Sequence, residues 1–166
     1  MGGYLLFDVV ALRVDIWLDP WSDADGRSFQ VVQSLMAVGA GGLLGQGIGQ
    51  GNPTFIPVVH TDFAFAAIAE EWGLIGAGGV LLVLLVVILR GFRIAALNAA
   101  QPFRSHLAIG LCLMLTMQTF LIVGGTLNLV PLTGVTLPFV SYGGSSLVTS
   151  CIMIGLLLVL SDAPRS

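Results

Sequence analysis

The pattern of apolar and charged positions divides the chain into membrane-embedded and exposed parts. No Asp, Glu, Lys or Arg occurs in residues 72–89, a run of 18, or in residues 105–161, a run of 57. A helix crosses the hydrocarbon core of a bilayer with about 20 apolar residues. The first run therefore predicts one transmembrane helix, and the second predicts two helices with a break between them.

Two polar or irregular stretches separate these predicted helices. Residues 90–104 contain three arginines and no acidic residue, so the positive-inside rule predicts a cytoplasmic loop, with Pro102 as a helix breaker. Pro131, Gly134 and Pro138 interrupt the longer apolar run. Irregular backbone at membrane depth must be buried in protein or line a water-filled cavity. The break is therefore expected to be a structured segment on the outer side.

These patterns predict an all-α integral membrane fold. It comprises three transmembrane helices preceded by an extracellular loop region with a peripheral helix, for which Ser28 is a candidate N-cap. The predicted segments are a loop region with short helices (1–61), transmembrane helices (62–90, 105–125 and 142–161), a cytoplasmic loop (91–104), an extracellular re-entrant-like Pro/Gly segment (126–141) and a cytoplasmic tail (162–166).

Composition narrows the class of protein further. The chain is 56% hydrophobic and 9% charged, whereas a soluble domain carries about 25% charged residues. All six basic residues are arginine and the net charge is −3, so no basic face for nucleic acid is predicted. Cys112 and Cys151 both lie in apolar runs and are interpreted as small buried residues. The spacing of Cys and His predicts no metal site.

The distribution of acidic residues suggests that the chain is part of a larger protein. Eight of the nine acidic residues precede Trp72, on the predicted outer side. Residues 1–20 lack the basic and apolar regions of a signal peptide, so the sequence contains no evident means of exporting this zone. We therefore expect further membrane segments upstream, with this chain as the C-terminal part.

Asp62 is the leading candidate for chemistry because it lies at the outer mouth of the first predicted helix. An aspartate there is favoured as an N-cap, and a carboxylate base at the membrane surface is the functional alternative. Glu70 and Glu71 would lie about 12–13 Å further along that helix. They either remain solvated at the interface or need a partner or polar cavity. His60 is either a hydrogen-bonding group for a substrate or part of the loop.

Residues 134–146 (GVTLPFVSYGGSS) combine helix breaks with hydroxyls, a tyrosine and small residues. Small residues allow helices to pack closely in lipid. The functional alternative is a polar notch that receives a headgroup or a neighbouring helix.

Three motifs together resemble the SEDS family, which includes RodA, FtsW and a sporulation homologue. They are HTDF (60–63), AEEWGLIG (69–76) and PLTGVTLPFVSYGGSS (131–146). The upstream LDPW (18–21) and QSLMAVGAGGLLGQGIGQG (33–51) are similar to the family's large extracellular loop, so the resemblance covers nearly the whole chain. It implies a ten-helix fold of which this chain supplies that loop and helices eight to ten.

The resemblance also implies a function. Family members polymerise lipid II into peptidoglycan by inverting glycosyl transfer in the bacterial cytoplasmic membrane, during cell division or cell-shape maintenance. They work with a class B penicillin-binding transpeptidase. The family's catalytic aspartate corresponds to Asp62. Substrate contacts are expected from His60, Thr61, Glu70, Ser141, Tyr142 and Ser145.

Three points stay open at the level of sequence. Arg13 and Arg27 are the only cations predicted on the outer side, so the pyrophosphate would be held by earlier helices of the family fold or by a divalent cation. No other cofactor is expected. The alternative functions are a lipid II transporter (flippase) and a non-catalytic scaffold for the transpeptidase. The short loop before His60 leaves division, elongation and sporulation subfamilies open.

Overall fold

The computed structural model describes residues 2–47, 64–141 and 143–162, with side chains from residue 10 onward. This part of the chain contains five helices and no strand: α1 (Gly2–Leu18), α2 (Phe29–Gly41), α3 (Ala64–Leu97), α4 (Pro102–Thr126) and α5 (Gly144–Ser161). Helices α3, α4 and α5 are long and apolar enough to cross a membrane. The predicted all-α membrane fold is confirmed.

The hairpin between α3 and α4 is tighter than the sequence predicts. Helix α3 continues seven residues past the predicted end at residue 90, and the predicted loop 91–104 shortens to residues 98–101. The extension is stabilised by packing, because Gly91 lies against the Cys112 side chain and Ala95 is buried. Pro102 starts α4 instead of breaking a helix, since the first helical residue needs no N–H donor.

The core between the membrane helices follows a spacing of three and four residues. On α3 the buried positions include Leu84, Ile88, Gly91 and Ala95. Ile88 and Ala95 belong to one buried cluster with residues of α4 and α5, namely Ala108, Leu111, Cys112, Leu115, Met153, Leu157 and Leu160. Polar bonds close the end of the hairpin: Ser105 Oγ donates to the Ala95 carbonyl (3.0 Å) and Asn98 Nδ2 donates to the Leu160 carbonyl (3.1 Å).

The N-terminal helices pack on the opposite end of the membrane helices. Helix α2 directly follows Ser28, whose side chain is buried and makes no capping hydrogen bond. Trp17 of α1 pairs reciprocally with Asn128, through Trp17 Nε1 to the Asn128 carbonyl (3.0 Å) and Asn128 Nδ2 to the Trp17 carbonyl (3.1 Å). The region predicted as an extracellular loop therefore contains two helices anchored to the membrane part.

Helix α3 is kinked at Gly73, whose backbone has φ 68° and ψ −171°. The kink interrupts the helical ladder, and residues 42–47, which follow α2, pair with the freed groups. Four backbone hydrogen bonds form, from Gln46 N to Glu70 O (2.9 Å), Gly47 N to Glu71 O (3.1 Å), Leu74 N to Gly42 O (2.9 Å) and Ile75 N to Leu43 O (3.3 Å). We call residues 41–47 together with residues 69–75 the glycine junction.

Glycine is required where the two backbones of this junction approach each other. A Cβ at Gly73 would meet the backbone of Leu43 and Gly45, and one at Gly45 would meet the carbonyl of Glu71. The positive φ of Gly73 disfavours any other residue independently of space. The junction therefore depends on residue type at these two positions.

We expect Gly73→Ala to destabilise the protein by about 2 kcal/mol or more, because it adds a backbone clash to an unfavourable φ. Gly79→Ala is the matched control on the same helix, since a Cβ there meets nothing within 4 Å. The control should be neutral or more stable by up to about 1 kcal/mol. Thermal unfolding in detergent, followed by circular dichroism, measures both. Equal losses in the two variants would contradict this account of the junction.

Candidate functional site

The predicted site residues fall into two groups. Asp62, His60, Thr61 and Tyr142 lie outside the described residues. Glu70, Ser141 and Ser145 lie within them, and each has a distinct environment.

Glu70 lies three residues before the kink of α3 and is only 7% exposed. The end of α2 covers it closely, because a Cβ on Gly41 would come within 2.9 Å of the Glu70 Cα. Glu71, its neighbour in the sequence, is partly exposed. Glu70 is therefore buried in protein. It is not solvated at the interface, which was the other alternative that the sequence left open.

Ser141 closes a turn in the connecting segment, residues 127–141, which leads from α4 towards α5. Its Oγ accepts a hydrogen bond from Leu137 N (2.9 Å), and its own N–H donates to the Leu137 carbonyl (3.1 Å). Ser141 is 7% exposed, and Leu137 and Pro138 are fully buried. Phe139 inside the turn has φ 64°, an unfavourable conformation for an aromatic residue. The Ser141 hydroxyl thus holds the shape of the turn, whatever else it contacts.

Ser145 lies instead on an open groove between α4, α5 and the connecting segment, with a volume of about 440 Å³. We call it the α4–α5 groove. Its apolar lining residues are rich in methionine: Met114, Met117, Leu121, Val135 and Met153. Its polar lining residues are Gln118, Thr136, Ser145, Ser146 and Thr149. Neither Glu70 nor Ser141 lines the groove, so the structure does not bring the three described site residues into one cavity.

The polar residues that line the groove are connected by internal hydrogen bonds. Thr136 Oγ1 donates to Ser146 Oγ (2.6 Å), and Gln118 Nε2 donates to the Thr136 carbonyl (3.0 Å). Thr149 Oγ1 donates to the Ser145 carbonyl (2.8 Å). With these partners satisfied, the groove can accept an apolar chain without leaving those groups unpaired.

The groove lies along the half of α4 that is nearer the connecting segment. Its α4 residues, Met114 to Leu121, lie 12 to 5 positions before the end of the helix at Thr126. At about 1.5 Å per residue, they lie roughly 8–18 Å from that end. The groove therefore lies next to the connecting segment, and its methionines adapt readily to irregular ligands.

The connecting segment also packs against the first turns of α3. Phe65, Ala69 and Leu137 belong to one buried cluster. Because α3 begins at Ala64, directly after the HTDF motif, the structure places the beginning of α3 beside the segment that carries the GVTLPFVSYGGSS motif. Ala69 of the AEEWGLIG motif and Leu137 of the GVTLPFVSYGGSS motif thus belong to the same buried cluster, although about 70 residues separate them in the sequence.

The two cations predicted on the outer side both have partners within the protein. Arg27 Nε donates to Asp23 Oδ2 (3.0 Å), and this side-chain bond, with one from the Arg27 backbone, lowers the pKa of the Asp23 carboxyl. Arg13 donates to the Leu132 carbonyl (3.2 Å). Neither lines the α4–α5 groove. In the part of the chain that the structure describes, no group of three or more His, Cys, Asp or Glu residues is placed to hold a metal.

Sequence reasoning missed two polar features. Asn128 adopts φ 55° just after α4, a conformation for which asparagine is favoured. An asparagine directly after an apolar run is therefore a sequence signal for the end of that helix. Gln118 is an amide in an otherwise apolar run, and polar side chains at membrane depth commonly bond across elements.

We expect Ser141→Ala to lower stability by about 1–3 kcal/mol, because it leaves the buried N–H of Leu137 without its acceptor. Ser145→Ala is the matched control, since Ser145 is exposed, and should change stability by less than about 0.5 kcal/mol. Thermal unfolding of both variants tests this difference. A loss as large for Ser145→Ala would show that the turn does not depend specifically on the Ser141 hydroxyl.

Comparison with known proteins identifies relatives over nearly the whole chain. Residues 4–166 match the family model of FtsW, RodA and SpoVE, described as a cell cycle protein. The chain is 44% identical over 162 residues to peptidoglycan glycosyltransferase RodA of Mycobacterium bovis, covering 98% of this chain and 34% of the relative. It is 45% identical over 155 residues to stage V sporulation protein E of Bacillus subtilis, covering 92% and 42%. It is 42% identical over 151 residues to the probable peptidoglycan glycosyltransferase FtsW of Geobacter metallireducens, covering 90% and 40%.

A solved structure has a similar fold. It is described as showing structural coordination of polymerization and crosslinking by a peptidoglycan synthase complex, and the match has a TM-score of 0.72 at 33% identity. The match covers 90% of this chain and 41% of that one. The chain thus spans only about a third to two fifths of the length of the proteins it matches. By the extent of the family match and the identity to its members, the chain belongs to the FtsW, RodA and SpoVE family, the SEDS family that its motifs predict.

Proposed function

We propose that this chain forms part of a glycosyltransferase that polymerises lipid II into peptidoglycan glycan strands with inversion. The observation that carries the proposal is the packing of the connecting segment on the beginning of α3. Ala69 of one family motif and Leu137 of another belong to the same buried cluster, and the connecting segment also lines the α4–α5 groove. Relatives named as peptidoglycan glycosyltransferases support the same reaction.

In the proposed reaction a sugar hydroxyl of the acceptor attacks the anomeric carbon of the donor. A new C–O bond forms while the bond to the lipid pyrophosphate breaks, and the pyrophosphate leaves with the bonding electron pair. We assign Asp62 as the general base that takes the hydroxyl proton, since a hydroxyl is a poor nucleophile at neutral pH. His60, Thr61, Glu70, Ser141, Tyr142 and Ser145 are proposed contacts to the substrate.

The glycine junction supports the assignment of Asp62 as the base. The residues that flank 48–63, Gly47 and Ala64, are both attached to α3. Gly47, at one end, donates to the Glu71 carbonyl of α3, and Ala64, at the other end, is the first residue of α3. Glu71 and Ala64 are seven residues apart, or about 10 Å along a helix. Fixed attachment points reduce the entropy lost when a catalytic group is placed against its substrate.

The α4–α5 groove is the proposed contact for the apolar part of the lipid substrate. Its apolar lining residues suit an isoprenoid chain, and a position in the half of the membrane next to the connecting segment would keep the reacting sugars near the membrane surface. A transporter would need a path through both halves, so the groove favours polymerisation at one face over lipid transport.

The leaving group requires positive charge from elsewhere. Arg13 and Arg27 are bonded within the protein, and the pyrophosphate is negatively charged. We propose that the remainder of the family fold or a divalent cation offsets this charge.

We further propose that the protein lies in the bacterial cytoplasmic membrane with residues 1–61 outside and the C-terminus inside. The arginines at the α3–α4 hairpin support this orientation. A class B penicillin-binding transpeptidase is the proposed partner, because the solved structure with a similar fold comes from a peptidoglycan synthase complex.

We expect Asp62→Asn to reduce polymerisation by about 100-fold or more, the usual effect of losing a general base. The full-length protein is purified with its transpeptidase partner, supplied with lipid II in detergent, and the glycan products are separated by gel electrophoresis. Asp23→Asn, which removes an exposed carboxylate bonded to Arg27, is the control and should retain activity.

Unchanged polymerisation by Asp62→Asn would exclude Asp62 as the base. Lipid scrambling in vesicles without polymer would favour a transporter, and the absence of both activities would favour a scaffold for the transpeptidase.

A further inference from the structure

Helix α1 is bonded to the connecting segment by three side-chain hydrogen bonds. Arg13 Nη1 donates to the Leu132 carbonyl (3.2 Å), and Trp17 Nε1 donates to the Asn128 carbonyl (3.0 Å). Asn128 Nδ2 donates in return to the Trp17 carbonyl (3.1 Å). Arg13 and Trp17 are four residues apart and therefore share one face of α1. We call Arg13, Trp17 and Asn128 the α1 clamp.

Asn128 occupies the position that ends α4. Leu129 N donates to the Gly124 carbonyl (2.7 Å) and Asn128 N donates to the Gly125 carbonyl (3.1 Å), with Asn128 at φ 55°. This is the Schellman arrangement, in which the left-handed residue is usually glycine. Both bonds use backbone atoms, so a glycine would complete the end of α4 equally well. The side-chain amide of Asn128 therefore contributes the bond to α1 and is not needed to end α4.

The same amide completes the hydrogen bonding at the end of α1. Helix α1 ends at Leu18, so the Trp17 carbonyl is among the last four carbonyls, which have no partner within the helix. Trp17 and Asn128 are 111 residues apart in the sequence. The pair thus fixes the end of α1 against the beginning of the connecting segment.

The connecting segment depends on contacts with the helices around it. Residues 131–137 form neither helix nor strand, so their backbone is not fixed by a regular ladder of its own. The α1 clamp holds the segment near its beginning. Further along, Gln118 of α4 bonds the Thr136 carbonyl, and Leu137 packs with the first turns of α3. A change at the clamp can therefore displace the segment while the helices themselves remain folded.

We propose that the residues of the α1 clamp are positioning residues for the polymerisation proposed above. They act through the connecting segment, which carries the proposed substrate contact Ser141 and leads to Ser145. This inference rests on the proposed function, and it makes the position of α1 a determinant of the catalytic rate. A displacement of about 1 Å in a group that positions the substrate can lower the rate about 100-fold. The presence of an amide at Asn128, where glycine would suffice to end α4, favours this role.

The substitution Asn128→Gly tests the clamp without disturbing the end of α4, because glycine is favoured at a positive φ. The full-length protein is purified with its transpeptidase partner and supplied with lipid II in detergent, and initial rates give kcat and KM. We expect kcat to fall about tenfold while KM changes by less than about twofold, because loss of positioning acts mainly on the transition state. Trp17→Phe removes the indole N–H, keeps an aromatic ring and leaves the end of α4 unaltered. It should lower kcat in the same way.

Arg13 allows a comparison of a conservative and a disruptive change. Arg13→Lys keeps the positive charge and an N–H donor for the Leu132 carbonyl, and it should retain most of the activity. Arg13→Met keeps an unbranched side chain without a donor, and it should lower kcat.

The matched control is Asn98→Gly, which removes a similar bond at the opposite end of α3. Asn98 Nδ2 donates to the Leu160 carbonyl (3.1 Å) and so joins the α3–α4 hairpin to α5. We expect Asn98→Gly to lower the melting temperature about as much as Asn128→Gly does and to change kcat by less than about twofold. Thermal unfolding followed by circular dichroism gives the melting temperature of each variant, and kcat is measured well below all of them.

The possible results separate the clamp from the proposed function. Equal kcat values for Asn128→Gly and Asn98→Gly would show that the clamp is only structural and would overturn the inference. Normal polymerisation by both Asn128→Gly and Trp17→Phe would also overturn it and would leave the proposed function intact. If the unaltered protein with its partner formed no polymer, the proposed function would be wrong, and the inference would fail with it.

Discussion

A membrane-spanning helix can be interrupted only if the backbone groups freed by the interruption find other partners, because lipid offers none. In this protein the interruption falls at Gly73, and residues 42–47 supply those partners through four hydrogen bonds. The arrangement requires two backbones to lie in direct contact, which side chains at Gly45 or Gly73 would prevent. Much of the described structure around the beginning of α3 follows from this contact.

The first consequence concerns the residues around the proposed site. Helix α2 is held over the beginning of α3, so Glu70 is buried under protein instead of facing water. Gly47 and Ala64, which flank residues 48–63, are attached to the same helix. The connecting segment then packs on those first turns through Leu137, and Ser141 maintains the turn that presents it. The proposed catalytic centre thus depends on backbone contacts several residues away from any reacting group.

The two ends of α3 serve different physical purposes. The end at the glycine junction is built from close backbone contacts and buried polar groups, which favour one rigid arrangement. The other end extends beyond the apolar run, packs through Ala95, and exposes Arg90 and Arg93. A rigid end suits chemistry on a positioned substrate.

The sequence by itself determined the membrane class, the three crossings and the family, because charge-free runs of sufficient length and long motifs are local properties of the chain. It also indicated Asp62, which no described contact tests.

Only the tertiary structure decided that α3 continues to Leu97, since Gly91 and Ala95 pack on α4 there, and that Pro102 begins a helix. It also separated Ser141, which holds a turn, from Ser145, which lines a groove, although both belong to one motif. The burial of Glu70 and the pairing of residues 42–47 with the kink could not be predicted, because both depend on contacts between segments distant in the chain, and hydrophobic patterning carries no information on which backbones meet.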